Sequence, residues 1–501
     1  MRRIVLAALA IAGAPVQAQT VVTSSAPDKM SVTVYRDPNR GAGAINARFP
    51  QSFALISEKR RIAVPAGDSV IRFEGVADGM MAVSAVVTGL PGGVVQKNRD
   101  ARLLSPAALV DGTLGNGVHL RRTNRQTGQV TEQDAIIRST AASGLVLETA
   151  QGVEALRCSG LPETIVQDRL PSGLSVRPTL SVTTSSARPV EADVTLTYLT
   201  TGFDWGASYV VRLAPDGRTL DLFAWLTVAN GNTISFPQAD LLAVGGRVNR
   251  GSRGDPSAPW QSPSLTLQCW PEPSYEGAED YVGGYPGAPP PPPPAPMAMM
   301  AAQEIMVTAR RVAEPEDLGD LKLYRVPMPV DVNANGQKQV ALLHRPAIAY
   351  RSYYSASLEL AGSQDSSPLR RMIRFLNRKE AGAGLPLPSG ALSVFAPRGP
   401  ESLLLGEARM RDHAMGETVE IDVNDSPQHR ISQTKDVATG RYHIVLSNAG
   451  ASPIAAEIEL ENVSTSRVVA PSRTLARRDG RWLWAVTVPG NGTAELHYRL
   501  K

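Results

Sequence analysis

Apolar and polar residues alternate along most of this chain with a period of two, which is the pattern of β-strands that bury one face. The alternation is clearest at Val194, Leu196 and Tyr198, which are separated by threonines. Apolar residues recur in the same way over 209–213 and 220–228. These three runs predict three strands, and we expect them to form one antiparallel meander.

Turn sequences join predicted strands near both ends of the chain. The sequence Pro-Ala-Gly-Asp at 65–68 lies between apolar-rich runs at 60–64 and 69–73, and it predicts a hairpin. The sequence Pro-Gly-Asn-Gly at 489–492 joins the last two alternating runs of the chain and predicts a closing hairpin. With 43 Gly and 39 Pro, the chain is rich in turns, as expected for short strands.

Short apolar stretches between Gly117 and Leu156 are separated by Thr127-Gly128, Ser143-Gly144 and Gln151-Gly152. Four strands with such tight turns predict a small SH3-like barrel. The fold class predicted for the whole chain is therefore mainly β, with this small barrel and antiparallel β-sandwich domains.

The predicted organisation has six parts. They are a signal peptide at 1–18, a leader at 19–52, an N-terminal β domain with the small barrel at 53–185, a middle β-sandwich at 186–253 and 310–390, an acidic Pro-rich insertion at 254–309, and a C-terminal β-sandwich at 391–501. The insertion contains six acidic residues, no Lys or Arg, and the proline run 289–294. Proline lacks an amide donor, so we expect an exposed, extended segment here.

The N-terminus has the features of a secretory signal. Arg2 and Arg3 precede an apolar run from Ile4 to Ala12, and small residues follow up to Ala18. The run is shorter than the roughly 20 residues of a transmembrane helix, so we expect cleavage after Ala18. The sequence thus predicts a periplasmic or outer-membrane-associated protein with no transmembrane segment.

Charge gives little indication of an anionic partner. The chain carries 51 Lys and Arg against 47 Asp and Glu, a net charge of +4, which falls to +2 when Arg2 and Arg3 are removed with the signal. This excess is too small to predict nucleic acid as a partner.

The stretch 196–212, with Phe-Asp-Trp-Gly at 203–206, resembles the signature strands of the mucoidy inhibitor A family. Leu-Pro-Leu-Pro-Ser-Gly at 385–390, Leu-Leu-Gly-Glu at 404–407 and the strands from Tyr442 onward are similar to the family's later landmarks. The resemblance covers most of 186–501 and implies an envelope location. The family is a domain of unknown function linked by name to exopolysaccharide control, so the resemblance implies no chemistry.

Two features depart from the longer members of that family. No sustained heptad repeat precedes the domain, and Phe236 stands where the family has a second tryptophan. The resemblance therefore implies a shortened form with a barrel in place of the coiled coil.

The best local cluster of chemically active side chains is Asp412, His413 and Glu417. It could ligate a metal or act as acid and base, but a strand-end turn with mutually satisfied polar groups is the favoured interpretation. Trp205 and Tyr209 are four residues apart, so on one strand they share a face. They are candidate ligand contacts that could stack on a sugar, although a core position is favoured.

The segment 303–311 resembles the energy-coupling box of outer-membrane receptors, and an edge strand or linker is the alternative. Cys158 and Cys269 are the two cysteines, and in an oxidising compartment we expect them to form a disulfide. Two buried free thiols are the alternative.

The sequence contains no H-E-x-x-H, G-x-S-x-G or phosphate-binding G-x-x-x-x-G-K motif. We therefore assign no catalytic residue, metal ligand or cofactor, and expect a non-enzymatic structural or interaction protein. Its expected partner is an envelope protein or polysaccharide. The alternatives are a carbohydrate-binding module, or a hydrolase or metal enzyme whose site is assembled from distant loops.

Overall fold

The computed structural model describes residues 20–41, 43, 45–100, 104–124, 127–141, 145–155, 163–171, 174–248, 313–319, 321–461 and 468–501. The predicted signal peptide at 1–18, the insertion at 254–309, the segment 303–311, and both Cys158 and Cys269 lie outside these residues. The corresponding predictions stay predictions.

The elements follow in chain order. The first are β1 Thr20–Ser24, β2 Lys29–Tyr35, β3 Ser52–Val64, β4 Gly67–Glu74, β5 Val86–Thr88, β6 Gln96–Asp100, α1 Pro106–Gly112, β7 Gly117–Thr123, β8 Val130–Ile137, β9 Val146–Thr149, β10 Gly152–Ala155 and β11 Glu163–Val166. The next are β12 Thr179–Ser186, β13 Val190–Leu213, β14 Thr219–Asn230, β15 Phe236–Gly245, β16 Glu314–Leu318, β17 Leu321–Arg325, β18 Val330–Val332 and β19 Gly336–Glu359. The last are β20 Gln364–Leu376, β21 Gly390–Arg398, β22 Glu401–Met410, β23 Thr418–Asp436, β24 Arg441–Asn448, β25 Ile454–Glu461, β26 Val468–Val469, β27 Ala476–Arg478, β28 Arg481–Val488 and β29 Gly492–Leu500.

Strands make up 64% of the residues that the structure describes, so the predicted mainly β, sandwich-type fold is confirmed. Within the described ranges there is one α-helix, α1, which begins after Ser105. The Ser105 side chain caps this helix by accepting a hydrogen bond from the Ala108 amide. None of the helices described has the length and apolarity that a membrane crossing requires.

Two 24-residue strands organise the large sheets. The first half of β13 pairs with β3 and the second half with β14 and, in parallel, β21. The first half of β19 pairs with β14, whereas its second half pairs with β20 and β25. The strand β19 therefore passes from the sheet of the middle region into the sheet of the C-terminal region.

The strands at both predicted hairpins exist, but the hairpin pairings are wrong. The strand β3 pairs with β2 and β13, whereas β4 pairs with β1 and β12. Likewise β28 pairs with β25 and β27, whereas β29 pairs with β24 and β26. The turn at 65–68 leads the chain from the sheet of β3 into that of β4, whereas the turn at 489–492 joins two strands that are not neighbours within one sheet. In both cases the flanking strands bury side chains in a shared core.

The predicted three-stranded meander is also wrong, because its first two strands are one. Residues 193–198 and 209–213 both belong to β13, which continues through a register shift between Thr201 and Phe203. Gly202 between them has φ +80°, a conformation that favours glycine. The irregularity turns the strand toward its second set of partners without ending it.

The stretch 19–52, expected as a leader, contains β1 and β2. The strand β2 lies between β3 and β15, and its Val32 and Val34 are fully buried. The predicted division near residue 390 also differs from the observed one. The strands β21 and β22 join the sheet of β13, whereas β20 joins the C-terminal sheet.

The residues predicted as a small SH3-like barrel form a five-stranded antiparallel sheet in the order β10-β9-β8-β7-β11. Among the residues described, β10 and β11 are its two edges, so the sheet is open. The helix α1 covers one face, where Ala107 and Val110 pack with Leu120, Ile137 and Leu147.

Candidate functional site

A cleft of about 1300 Å³ lies between β20, β22 and β23, and charged side chains dominate its walls. The lining residues with formal charges are Arg370, Arg374, Arg409, Arg411, Arg478, Glu407, Glu417, Glu420, Asp422, Asp425, Glu459 and Asp479. It is larger than a second cavity of about 1000 Å³, which lies beside His119 and Asp134.

The period-two geometry of two paired strands builds the floor of the cleft. On β20, Arg370 and Arg374 share a face, and on β23 Glu420 and Asp422 line the same cleft. Arg374 and Glu420 are direct cross-strand partners, and Nε of Arg374 donates to Oε1 of Glu420 at 2.6 Å. Opposite charges at paired positions stabilise a sheet, which fixes these side chains in place.

Gly406 on β22 brings the third wall close to the floor. A Cβ atom at this position would lie 1.7 Å from the backbone oxygen of Val423 on β23. Only a residue without a Cβ fits this approach without a backbone shift. The width of the cleft therefore depends on Gly406.

Beside the cleft, on the same face of the sheet as Arg374, Glu457 on β25 is the centre of an arginine cluster. Arg374 donates to both carboxylate oxygens of Glu457, at 2.9 and 2.7 Å, and Arg478 donates to Oε2 at 2.8 Å. Arg351 also donates to Oε1. Glu457 is only 6% exposed, although the alternation along β25 predicts that it faces solvent.

Electrostatics keep the cluster ionised. Burial raises the pKa of Glu457, but the hydrogen bonds from Arg374 and the charges of Arg351 and Arg478 outweigh it, so the pKa lies below its usual 4.5. The guanidinium of Arg374 lies 4.2 Å from the centre of the Tyr353 ring. Burial, the largest cause, and Glu420 raise the pKa of Tyr353 to about 12, so this phenol stays neutral.

The cleft has an excess of negative charge, with seven carboxylates against five arginines. In the described ranges, the side chains of Glu407, Asp425 and Asp479 have no ion-pair or hydrogen-bond partner, and all three are exposed. Among the cations of the cleft, Arg409 has no such partner within the part of the chain that the structure describes. The arrangement suits a ligand that brings positive charge.

Of the predicted cluster, His413 and Glu417 line the rim of the cleft and contact each other, whereas Asp412 is turned to another partner. Arg36 donates to both oxygens of Asp412 at 2.9 and 2.7 Å. Glu417 accepts from Arg411 at 3.0 Å and lies 3.2 Å from Nδ1 of His413. Burial and the charge of Arg411 lower the pKa of His413, so the ring is neutral at pH 7.

Trp205 and Tyr209 both lie in the core, at 0% and 2% exposure. Nε1 of Trp205 donates to the backbone oxygen of Val244 at 2.9 Å, and the Tyr209 hydroxyl donates to that of Pro388 at 2.6 Å. The rings are therefore not available to stack on a sugar, because β13 is covered on the face that they share.

Two histidine clusters lie outside the cleft. Nδ1 of His119 lies 2.8 Å from a carboxylate oxygen of Asp134, and Nε2 lies 3.0 Å from one of Asp168. The two carboxylates therefore contact opposite sides of one imidazole ring. On the C-terminal sheet, His443, Glu495 and His497 place their donor atoms within 4.8 Å of one another, close enough to share a metal ion. Sequence reasoning missed this second cluster, since the residues come from two strands whose pairing no local motif reveals.

Neither protein-family models nor curated proteins gave a match to this sequence.

Proposed function

We propose that this protein is exported to the bacterial envelope and acts there as a non-enzymatic interaction protein, with the charged cleft as its contact surface. The observation that carries the proposal is the excess of exposed carboxylates in the cleft that have no partner among the described residues. The signal-like N-terminus supports export. The resemblance of 186–501 to the mucoidy inhibitor A family supports an envelope role.

The partner that fits the cleft best is a basic segment of another envelope protein. Glu407 and Asp425 are exposed and unpaired within the described ranges, so a Lys or Arg side chain could pair with either without breaking an existing bond. An acidic polysaccharide would meet a surface on which carboxylates outnumber arginines. Complementary charge of this kind speeds association and selects partners.

The carboxylates at the rim of the cleft already form ion pairs, which supports a binding role over an acid–base role. Asp412 and Glu417 are held by Arg36 and Arg411, and the neutral His413 contacts Glu417. Carboxylates that are held by cations in this way stay ionised and are weak bases, because their pKa values lie below the usual range.

The experiment uses the mature protein as bait in envelope extracts and compares it with the double variant Glu407→Lys/Asp425→Lys. We expect the wild type to capture a partner that the variant loses, and an oligolysine peptide to compete for it. Binding of labelled oligolysine should weaken as salt reduces the Debye length from about 10 Å to about 3 Å.

Glu191→Lys is the matched control, because Glu191 is exposed but lies outside the cleft. It should capture the partner as the wild type does. Capture that survives in the double variant would contradict the proposal. Retention of the wild type on an acidic polysaccharide that is lost in Arg409→Glu would instead favour the carbohydrate-binding alternative.

A further inference from the structure

We propose that His443, Glu495 and His497 form a binding site for a divalent transition-metal ion, with Zn²⁺ as the ion that the donor set suits best. The site lies on the outer face of the C-terminal sheet, away from the charged cleft. It does not rest on the proposed interaction with a partner, and either proposal can fail alone.

The register of two strands brings the three side chains together. His443 on β24 lies directly opposite His497 on β29, and Glu495 is two residues from His497, so the three share one face. The other face of the same strands is in the core, where Tyr442 and Tyr498 stack with centroids 5.3 Å apart. The buried tyrosines fix the orientation of the strands and hold the histidines outward.

The donor atoms converge on one point. The two imidazole rings stack with centroids 4.1 Å apart and an interplanar angle of 12°. Their Nε2 atoms lie 3.1 Å (His443) and 3.6 Å (His497) from the same oxygen, Oε2 of Glu495. Ligands that bind Zn²⁺ at about 2.0–2.1 Å in a tetrahedron are about 3.3 Å apart, a value between these two distances.

The backbone under the site is already fixed. The His497 amide donates to Oγ of Ser472, and the Ser472 amide donates to the backbone oxygen of His497, both at 2.8 Å. Metal binding would therefore require side-chain rotation only. Two imidazoles and one carboxylate are a ligand set of zinc proteins, and three ligands leave a fourth position for water or for a group of a partner.

Arg441 and Arg499 form the next cross-strand pair on the same face, one step toward the end of β29. Their positive charges oppose a cation, but both side chains are exposed and therefore screened by salt. The three direct ligands would supply the affinity for the metal ion. Because salt screens the two arginines, we expect this affinity to be stronger at moderate salt than at very low salt.

The test is a titration of the mature protein, purified without a histidine tag and stripped with a chelator, with ZnCl₂ alone. We expect one Zn²⁺ per chain by elemental analysis, and a tetrahedral absorption spectrum when Co²⁺ replaces it. His443→Asn, His497→Asn and the shape-conserving Glu495→Gln should each lower the affinity at least about tenfold.

His119→Gln is the matched control, since it also removes a partly exposed histidine flanked by carboxylates. It should bind Zn²⁺ like the wild type, and circular dichroism should show all variants folded. Sub-stoichiometric binding by the wild type, or equal affinity in wild type and His443→Asn, would overturn the proposal.

Discussion

Arg60 and Glu58, two residues apart on β3, form an ion pair inside the largest core. Nε and Nη2 of Arg60 both donate to Oε2 of Glu58, at 3.0 and 2.6 Å, and the two side chains are 0% and 1% exposed. Arg60 also donates to the backbone oxygens of Ser24 and Glu74, at 2.8 and 2.9 Å. The pair thus ties β3 to the sheet that contains β1 and β4.

Tyr198 completes the network from β13. Its hydroxyl donates to Oε1 of Glu58 at 2.8 Å and accepts from the Ala77 amide at 3.1 Å. Burial, and then the charge of Glu58, raise the pKa of Tyr198 well above its usual 10, so the phenol stays a donor at any physiological pH. Every charged group of the network is therefore paired or hydrogen-bonded.

Arg60→Met should be strongly destabilising, because it leaves the buried carboxylate of Glu58 without its cation. Breaking such a pair costs about 3–5 kcal/mol, whereas the double variant Arg60→Met/Glu58→Leu should lose much less than the sum of the single changes. Urea unfolding followed by circular dichroism measures both. Arg61→Met is the control, because Arg61 is 70% exposed, and its pair with Asp193 should contribute little. Additive single changes would show that the pair does not act as a unit.

Glu457 should make the C-terminal region sensitive to acid. The pKa of Glu457 lies below 4.5 in the folded protein, so the folded state favours the ionised form more than the unfolded chain does. Its stabilising contribution is present above about pH 4.5 and is lost as the pH falls through the lower, folded-state pKa. The urea midpoint of the wild type should therefore fall more between pH 6 and pH 3 than that of Glu457→Gln.

At pH 7 the same variant should be less stable than the wild type by about 1.5–3 kcal/mol, the usual contribution of hydrogen bonds to a charged group. Glu461→Gln is the control on the same strand, because Glu461 is only half-buried and pairs only with Arg481 in the described ranges. An equal acid response in Glu457→Gln and wild type would refute the assignment.

Alternation along the sequence predicts where strands lie and which face they bury. Tyr198, Ile458 and Leu460 are buried as their spacing predicts. The alternation does not show which strands pair with each other, since the consecutive strands β3 and β4 are not partners. A short Gly-containing turn between two alternating runs is compatible with a hairpin and with a turn between sheets, and only the packing of the whole core selects one.

The local sequence pattern does not predict the cluster at Glu457 or the histidine pair, and the reason is related. Glu457 occupies a polar position in its strand, and local pattern places it in solvent. It is buried because Arg351, Arg374 and Arg478 arrive from three other strands. In the same way, His443 and His497 are 54 residues apart and meet only through the register of β24 and β29.

Gly406→Ala should separate β22 from β23. The added methyl would lie 1.7 Å from the backbone oxygen of Val423, far inside van der Waals contact, and a backbone oxygen cannot rotate away as a side chain can. The strand β22 must therefore move, which would widen the cleft and shift Glu407 relative to Asp425. Overpacking of this kind costs about 1–3 kcal/mol. We expect a lower urea midpoint together with weaker binding of oligolysine.

The control for this change is Gly117→Ala on β7. Gly117 is also a strand residue without a positive φ, and a Cβ there meets nothing within 4 Å. That variant should be as stable as the wild type or slightly more so, since alanine restricts the unfolded chain. If Gly406→Ala matched Gly117→Ala in both stability and oligolysine binding, the close approach of β22 to β23 would not determine the shape of the cleft.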